Sequence, residues 1–146
     1  MSARENDLLR IQEIYDIATQ TIAQLDELGL TREQFVHPST TQQLLIGEGL
    51  TNRVLRAAEE GGRLSEAFRA YGFELREMSG LRNRLAHAYG TVDLHMIWEV
   101  LQSDFPKLVE GCVAYCADRD IRLTATWQSA AAEAGEFESS DQPRKA

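Results

Sequence analysis

Apolar residues recur at alternating intervals of three and four along the start of the chain, between Asn6 and Leu28. This spacing places them on one stripe of an α-helix, so the segment predicts an amphipathic helix of about six turns. Gly29 is the predicted C-cap, because glycine readily adopts the left-handed conformation with which many helices end. The stripe comprises Leu8, Ile11, Tyr15, Ala18, Ile22 and Leu25.

A short helix is predicted to follow from the sequence Thr31-Arg32-Glu33-Gln34. Its Thr and Gln have the spacing of a capping box, in which each side chain bonds the other residue's backbone N–H. The helix is expected to run through Phe35 and Val36. Pro38 then interrupts it, because proline lacks the N–H that a continuing helix needs.

The same spacing recurs in Ser39-Thr40-Thr41-Gln42, which predicts the start of a second long helix. We expect this helix to end near Gly61-Gly62, where two consecutive glycines interrupt the apolar pattern. Its expected buried side comprises Leu44, Leu45, Leu50, Val54, Leu55 and Ala58.

The middle of the chain predicts a short helical turn and then a third long helix. The turn covers residues 65–71 and stops at Gly72. The third helix runs from Phe73 to Ala88 and is closed by Gly90. Its apolar face comprises Leu75, Met78, Leu81 and Leu85.

A fourth helix is predicted to begin after Asp93, whose carboxylate suits an N-cap position. Pro106 is expected to break or kink the helical run and to open a further helix that reaches Cys116. Beyond Ile121 the periodic pattern weakens. We expect about the last ten to fifteen residues to form a flexible polar tail.

These elements predict an all-α fold, an antiparallel bundle of four to five helices. The sequence has no sustained alternation of apolar and polar residues that would indicate a sheet. It also lacks the glycine-rich loop with which Rossmann and P-loop domains hold phosphate. Nucleotide-binding α/β folds are therefore excluded.

The composition is that of one globular domain: 146 residues, 43% of them hydrophobic and 26% charged. No apolar run is long enough to span a membrane, and the start of the chain is too charged for a signal peptide. We therefore expect a cytoplasmic protein with no membrane partner. Cys112 and Cys116 are predicted to be buried free thiols, and with no second Cys/His pair we expect no metal and no cofactor.

Charge is unevenly distributed along the chain. The net charge of −8 opposes indiscriminate binding of nucleic acid. Residues 61–90, however, carry five arginines against three glutamates, and this segment alone is net positive. Because the guanidinium fork suits phosphate, we expect any phosphate contact here. Pairing of these arginines with Glu66, Glu74 and Glu77 on a solvated helix face remains an alternative.

Polar side chains that suit RNA cleavage are concentrated between Leu81 and Gly90. Asn83 and His87 are four residues apart and share a helix face, and the long side chain of Arg82 reaches toward it. Histidine transfers protons near neutral pH, and Arg and Asn stabilise charge on the reacting phosphate. In-line attack needs an acid and a base, yet this segment offers one His. A symmetric dimer would supply two.

The spacing Arg82-x4-His87-x-Tyr89 resembles the signature of the HEPN ribonucleases, and within them of the HepT-like toxins. The resemblance extends to flanking sequence and covers about residues 5–118. We therefore predict a bundle domain over residues 1–118 and a C-terminal extension over 119–146. The flanking matches are Ile46-Gly47-Glu48-Gly49, Gly80-Leu81-Arg82-Asn83, Trp98 and Asp104-Phe105-Pro106.

The resemblance implies a homodimeric HEPN-like bundle with a composite active site at the dimer interface. It implies metal-independent endoribonuclease activity that leaves a 2′,3′-cyclic phosphate and a 5′-OH. Arg82 and His87 would be catalytic, with Asn83 and Glu48 in support. The protein would be the toxin of a type VII toxin–antitoxin pair, and its partner, a minimal nucleotidyltransferase antitoxin, would inactivate it by transferring AMP to Tyr89.

Two other interpretations remain open at this level. The chain could be a helical subunit that presents substrate to a separate nucleotidyltransferase and cuts nothing, which would suit its acidic net charge. It could also be a structural dimer with a lapsed active site. His37 and His95 have no comparable polar surroundings in the sequence, so we do not predict a site role for either.

Overall fold

The computed structural model describes residues 3–72, 80–81, 83–84 and 92–128. These ranges contain helices and no strand, which confirms the predicted all-α bundle. None of the described helices is both long and apolar enough to cross a bilayer. In chain order the elements are α1 (Ala3–Leu28), α2 (Arg32–Val36), α3 (Thr41–Gly61), a 3₁₀ helix (Glu66–Tyr71), α4 (Leu94–Glu99), a π-helical turn (Val100–Asp104) and α5 (Phe105–Ala117).

Helix α1 is the central element, because it packs against both α3 and α5 and contributes to two apolar cores. The first core joins the C-terminal half of α1 to α2, α3, α4 and the π turn. The second joins the N-terminal half of α1 to the 3₁₀ helix and the end of α5. The buried α1 positions that serve them are Ile11, Ile14, Ile17, Ala18 and Leu25.

Polar contacts between α1 and α3 show that the two helices are antiparallel. Arg10 pairs with Glu60 at 3.3 Å, near the start of α1 and the end of α3. Farther along α1, Thr21 accepts a hydrogen bond of 3.2 Å from Arg53. From the first contact to the second, the residue number rises on α1 and falls on α3, as the predicted antiparallel arrangement requires.

Two predicted helix boundaries are confirmed in detail. Gly29 ends α1 with a φ of 60°, and its N–H donates to the Leu25 carbonyl at 3.0 Å. Thr31 and Gln34 form the predicted capping box at the start of α2, with hydrogen bonds of 3.2 and 3.0 Å. Local side-chain chemistry is sufficient to fix these two ends.

The predicted capping box at Ser39 and Gln42 is wrong by one residue. Thr40 is the N-cap of α3, and its hydroxyl accepts from the Gln43 N–H at 3.1 Å. The Gln43 side chain accepts from the Ser39 N–H at 2.8 Å. Ser39 and Thr40 both suit an N-cap, and the glutamine that reaches back toward the helix start is Gln43.

The expectation that Leu44 and Leu45 are buried is also wrong. Their exposed fractions are 48% and 62%, whereas Leu50 and Val54, farther along α3, are buried. Helix α2 has five residues and covers only part of α3. In the described part of the chain, nothing covers Leu44 and Leu45. We call these two residues the leucine patch.

Pro106 stands in the first turn of a further helix, as predicted, and the regular α-helical pattern that begins at Leu94 is interrupted just before it by a π turn. The chain continues through the π turn into α5, with Pro106 in the first turn of α5. Proline has no N–H, and its ring clashes with the carbonyl four residues earlier in a regular α-helix. A π turn, in which the Phe105 N–H bonds to the Val100 carbonyl, removes this conflict by widening the helix.

The predicted turn at residues 65–71 is present as the 3₁₀ helix, and Gly72 stops it with a φ of 85°. Most of the predicted third helix, Phe73 to Ala88, lies outside the described residues, as does Gly90. Its described positions, 80–81 and 83–84, are helical.

Residues 121–128 pack back along α1. Asp16 accepts two hydrogen bonds from Thr126, from its N–H at 2.9 Å and from its hydroxyl at 2.6 Å. The Trp127 indole N–H donates to the Thr19 hydroxyl at 2.9 Å. The start of the predicted extension is thus held against the bundle, and the predicted flexible tail lies outside the described residues.

The two cysteines are free and buried in the second core, as predicted. Burial raises the pKa of the Cys112 thiol to about 12, and the neighbouring Cys116 adds to this. Desolvation also raises the pKa of Cys116, against a lowering by Arg119. Both residues therefore serve as apolar packing groups.

Candidate functional site

Three of the five predicted site residues, Arg82, His87 and Tyr89, lie outside the described residues. Asn83 is described: it is helical and exposed. Glu48 is also described and is exposed on α3. The structure therefore defines the surroundings of the motif and leaves its central roles as predictions.

The motif is anchored on both sides to the first core. Leu81, one residue before Arg82, is partly buried and packs against that core. Val92, three residues after Tyr89, packs against the same core. Leu81 and Val92, which lie on either side of the motif in sequence, therefore both pack against the core to which α3 contributes.

Glu48 borders a cleft of about 340 Å³, which we call the Glu48 cleft. Helix α3 supplies one wall of it, including Glu48 and Asn52. Val92 and Leu94, at the start of α4, supply another part of the lining, and Phe35 of α2 lies at its base. The leucine patch borders this cleft through Leu44, so an apolar surface and an acidic side chain adjoin here.

A second cleft, of about 380 Å³, lies between α3, the π turn and the described part of the motif helix. We call it the Asp104 cleft. Its described polar residues are Arg84, Asp104 and Lys107. Its described apolar residues are Val54, Ala57, Ala58, Leu81, Met96, Val100, Phe105 and Leu108.

Asp104 is an exposed residue, and its carboxylate is partly desolvated. Desolvation raises its pKa, Lys107 lowers it, and Glu99 raises it. Within the described ranges, the Asp104 carboxylate takes part in no hydrogen bond or ion pair. A carboxylate that accepts no hydrogen bond from the described residues, and whose charge Lys107 favours, is suited to bind a ligand that donates hydrogen bonds.

The two histidines to which we assign no site role lie together at the contact of α2 and α4. The rings of His37 and His95 are edge to face, with centroids 6.3 Å apart. Arg32 donates to His95 Nδ1 at 3.4 Å and pairs with Glu99 at 3.0 Å. In the described part of the chain, no three His, Cys, Asp or Glu side chains lie close enough to share a metal ion.

Sequence reasoning missed the chemistry of the Asp104 cleft. In the sequence, Asp104 is part of a flanking match and Arg84 is one cation of the positive segment, while Lys107 lies outside that segment. Pro106 is the sequence signal for this arrangement, because the π turn that accommodates the proline ends at Asp104. Without the turn's geometry, no spacing rule places these residues around one cleft.

Comparison with known proteins gives one family match. Residues 54–114 match the family described as "Ribonuclease HepT-like", which points to ribonuclease activity. No curated protein and no solved structure matches the chain. Over residues 54–114, which include Arg82, His87 and Tyr89, the chain matches the HepT-like ribonuclease family, and the resemblance predicted from the motif is confirmed there.

Proposed function

We propose that this protein is a metal-independent endoribonuclease and the toxin of a toxin–antitoxin pair. The observation that carries the proposal is that the family match spans the complete Arg82–His87–Tyr89 motif. The positive segment, with five arginines against three glutamates, adds the charge that an RNA phosphate requires.

The proposed reaction is attack of the ribose 2′-OH on the adjacent phosphorus. His87 of one copy takes the 2′-OH proton as the O2′–P bond forms. His87 of the second copy gives a proton to the 5′-oxygen as the P–O5′ bond breaks, leaving a 2′,3′-cyclic phosphate and a 5′-OH. General acid–base catalysis of this kind contributes about 10²–10⁴-fold, and Arg82 would stabilise the charge on the phosphate oxygens.

A homodimer follows from this reaction, because one chain provides one motif histidine. The leucine patch supports the proposal, since it exposes two large apolar side chains on α3, the helix that carries Glu48. Burying a leucine in a contact contributes about 1.5–3 kcal/mol. Pairing of two such patches across a twofold axis would bring the α3 helices, and the motifs anchored beside them, toward each other.

The proposed partner of the toxin is a nucleotidyltransferase that adenylylates Tyr89. The added phosphate would place negative charge two residues from His87, where the RNA phosphate is to bind, and would repel it. Protein produced together with this enzyme is expected to be inactive, and Tyr89→Phe is expected to stay active under the same conditions.

The direct test is cleavage of total RNA by the purified protein in EDTA. We expect fragments with 2′,3′-cyclic phosphate ends from the wild type and none from His87→Ala. His37→Ala is the matched control, because His37 is exposed and lies outside the motif, and it should cleave normally. Equal cleavage by His87→Ala would contradict the proposed catalytic role.

The acidic net charge of −8 favours one second candidate, a subunit that presents substrate to a nucleotidyltransferase and has no activity of its own. The same assay separates the two functions. Intact RNA in the presence of properly folded wild-type protein would favour the presenting subunit.

A further inference from the structure

The Asp104 cleft has no part in the proposed cleavage step, yet sequence neighbours of the motif residue Arg82 line it. Leu81 and Arg84, which flank Arg82 in sequence, both line it. Because both residues are within two positions of Arg82 in sequence, we expect a nucleotide next to the cleaved phosphate to bind in this cleft.

The size and the walls of the cleft suit a planar heterocycle. Its volume of about 380 Å³ falls in the range of small-molecule sites, about 300–1,000 Å³. Leu81, Met96 and Leu108 on its lining are half-buried, so they present apolar surface to the cleft. Buried core residues such as Val54 and Phe105 lie behind them and hold this part of the bundle in place. Bases of single-stranded RNA commonly bind in such places, with the base unstacked from its neighbours.

The polar groups of the cleft divide into two kinds. Arg84 and Lys107 are exposed cations, suited to the phosphates on either side of a bound base. Asp104 is an exposed acceptor at the edge of the cleft, and partial desolvation raises its pKa. Hydrogen bonds donated to this carboxylate would replace part of the lost hydration.

Among the four bases, guanine matches an ionised carboxylate best. Its Watson–Crick edge presents two adjacent donors, N1–H and the N2 amino group, to the two oxygens of a carboxylate. On the same edge, adenine and cytosine each have one donor next to an acceptor, and a carboxylate repels that acceptor. Uracil has a single donor that lies between two acceptors. A bidentate pair of this kind is worth about 1–3 kcal/mol of discrimination.

We propose that the Asp104 cleft is a guanine-selective subsite that fixes where the RNA is cut. This inference rests on the proposed ribonuclease function and adds base selectivity to it. Asp104 reads the guanine edge, the apolar lining holds the ring, and Arg84 and Lys107 hold the backbone without regard to base.

The test is to sequence the cut sites in a random single-stranded RNA library. With the wild type, we expect guanine to be enriched about tenfold at one fixed position relative to the cut, the fold-change that corresponds to about 1.4 kcal/mol. Asp104→Asn should abolish most of this enrichment, because an amide offers one acceptor and one donor. Glu110→Gln removes an exposed charge on α5, outside the lining of the Asp104 cleft, and should leave the enrichment intact.

The variant Arg84→Ala separates backbone binding from base reading. It should slow cleavage of all sequences alike and leave the base preference unchanged. Cleavage without a guanine preference, or with a preference that Asp104→Asn does not alter, overturns the subsite and leaves the ribonuclease proposal standing. Absence of any cleavage by the wild type overturns the proposed function and, with it, the role of the cleft in cutting.

A binding measurement tests the cleft without relying on cleavage. Met96 lines the Asp104 cleft, so its methyl NMR signal reports occupancy. We expect 5′-GMP to shift this signal in the wild type at concentrations at which 5′-UMP does not, and Asp104→Asn to remove the difference. Equal shifts by the two nucleotides overturn the proposed selectivity.

Discussion

At the residue scale, helix caps form by local chemistry, whereas the surroundings of Asp104 are set by the tertiary structure. Thr31 and Asp93 cap their helices as predicted, because a cap needs only a short polar side chain at the first turn. The sequence assigns Asp104 no role beyond a flanking match, because its setting is a cleft to which five separate helical elements contribute.

Cys112 gives a prediction at this scale. Its thiol has a pKa raised from 9.0 to about 12 by burial, so the folded state disfavours the thiolate. The associated stability is fully present below pH 9.0 and is lost as the pH rises toward about 12. Above pH 9.0 the loss should approach about 1.4 kcal/mol per pH unit.

Urea unfolding of the wild type and of Cys112→Ala at several alkaline pH values measures this effect. The stability advantage of the wild type over Cys112→Ala should shrink as the pH rises. Val109→Ala, which removes apolar volume but no titrating group, should differ from the wild type by an amount independent of pH. A constant difference for Cys112→Ala as well would contradict the assigned burial.

At the element scale, the two long helices α1 and α3 were predictable, as was an interruption near Pro106, but the π form of that interruption was not. The apolar spacing of α1 and Gly29 at its end set its bounds, because both signals are local. The π turn is a compromise between Pro106 and continued packing of the helical run, and it needs the rest of the bundle to be known. The exposure of Leu44 and Leu45 likewise depends on how far α2 extends over α3.

The docking of residues 121–128 on α1 gives a prediction at the element scale. Asp16→Ala removes the carboxylate that accepts both hydrogen bonds of Thr126. Loss of a comparable capping interaction costs about 1 kcal/mol. We expect faster amide hydrogen exchange in residues 124–128, with exchange in α3 unchanged.

Asp26→Ala is the matched control for this variant. Asp26 lies on the same helix and is exposed, away from residues 121–128. Its replacement should leave exchange in those residues unaltered. Slow exchange in Asp16→Ala, as in the wild type, would mean that the apolar contacts of Ile121 and Leu123 alone hold the segment.

At the scale of the whole molecule, the proposed active site needs two copies of the chain. The sequence predicts this need from the number of motif histidines, and the exposed leucine patch is the surface that we propose for the contact. Leu45→Lys should weaken the dimer without unfolding the monomer, because Leu45 is 62% exposed. Leu9→Lys, at a position 57% exposed on α1, is the matched control and should leave the dimer intact.

The most direct test of the composite site is the cleavage rate per chain as the protein is diluted through its dimer–monomer equilibrium, with sedimentation measured in parallel. The rate should fall with the dimer fraction, and Leu45→Lys should show the same fall at higher concentration, while Leu9→Lys follows the wild type. A rate per chain that stays constant when sedimentation shows only monomer would contradict a site shared between two copies.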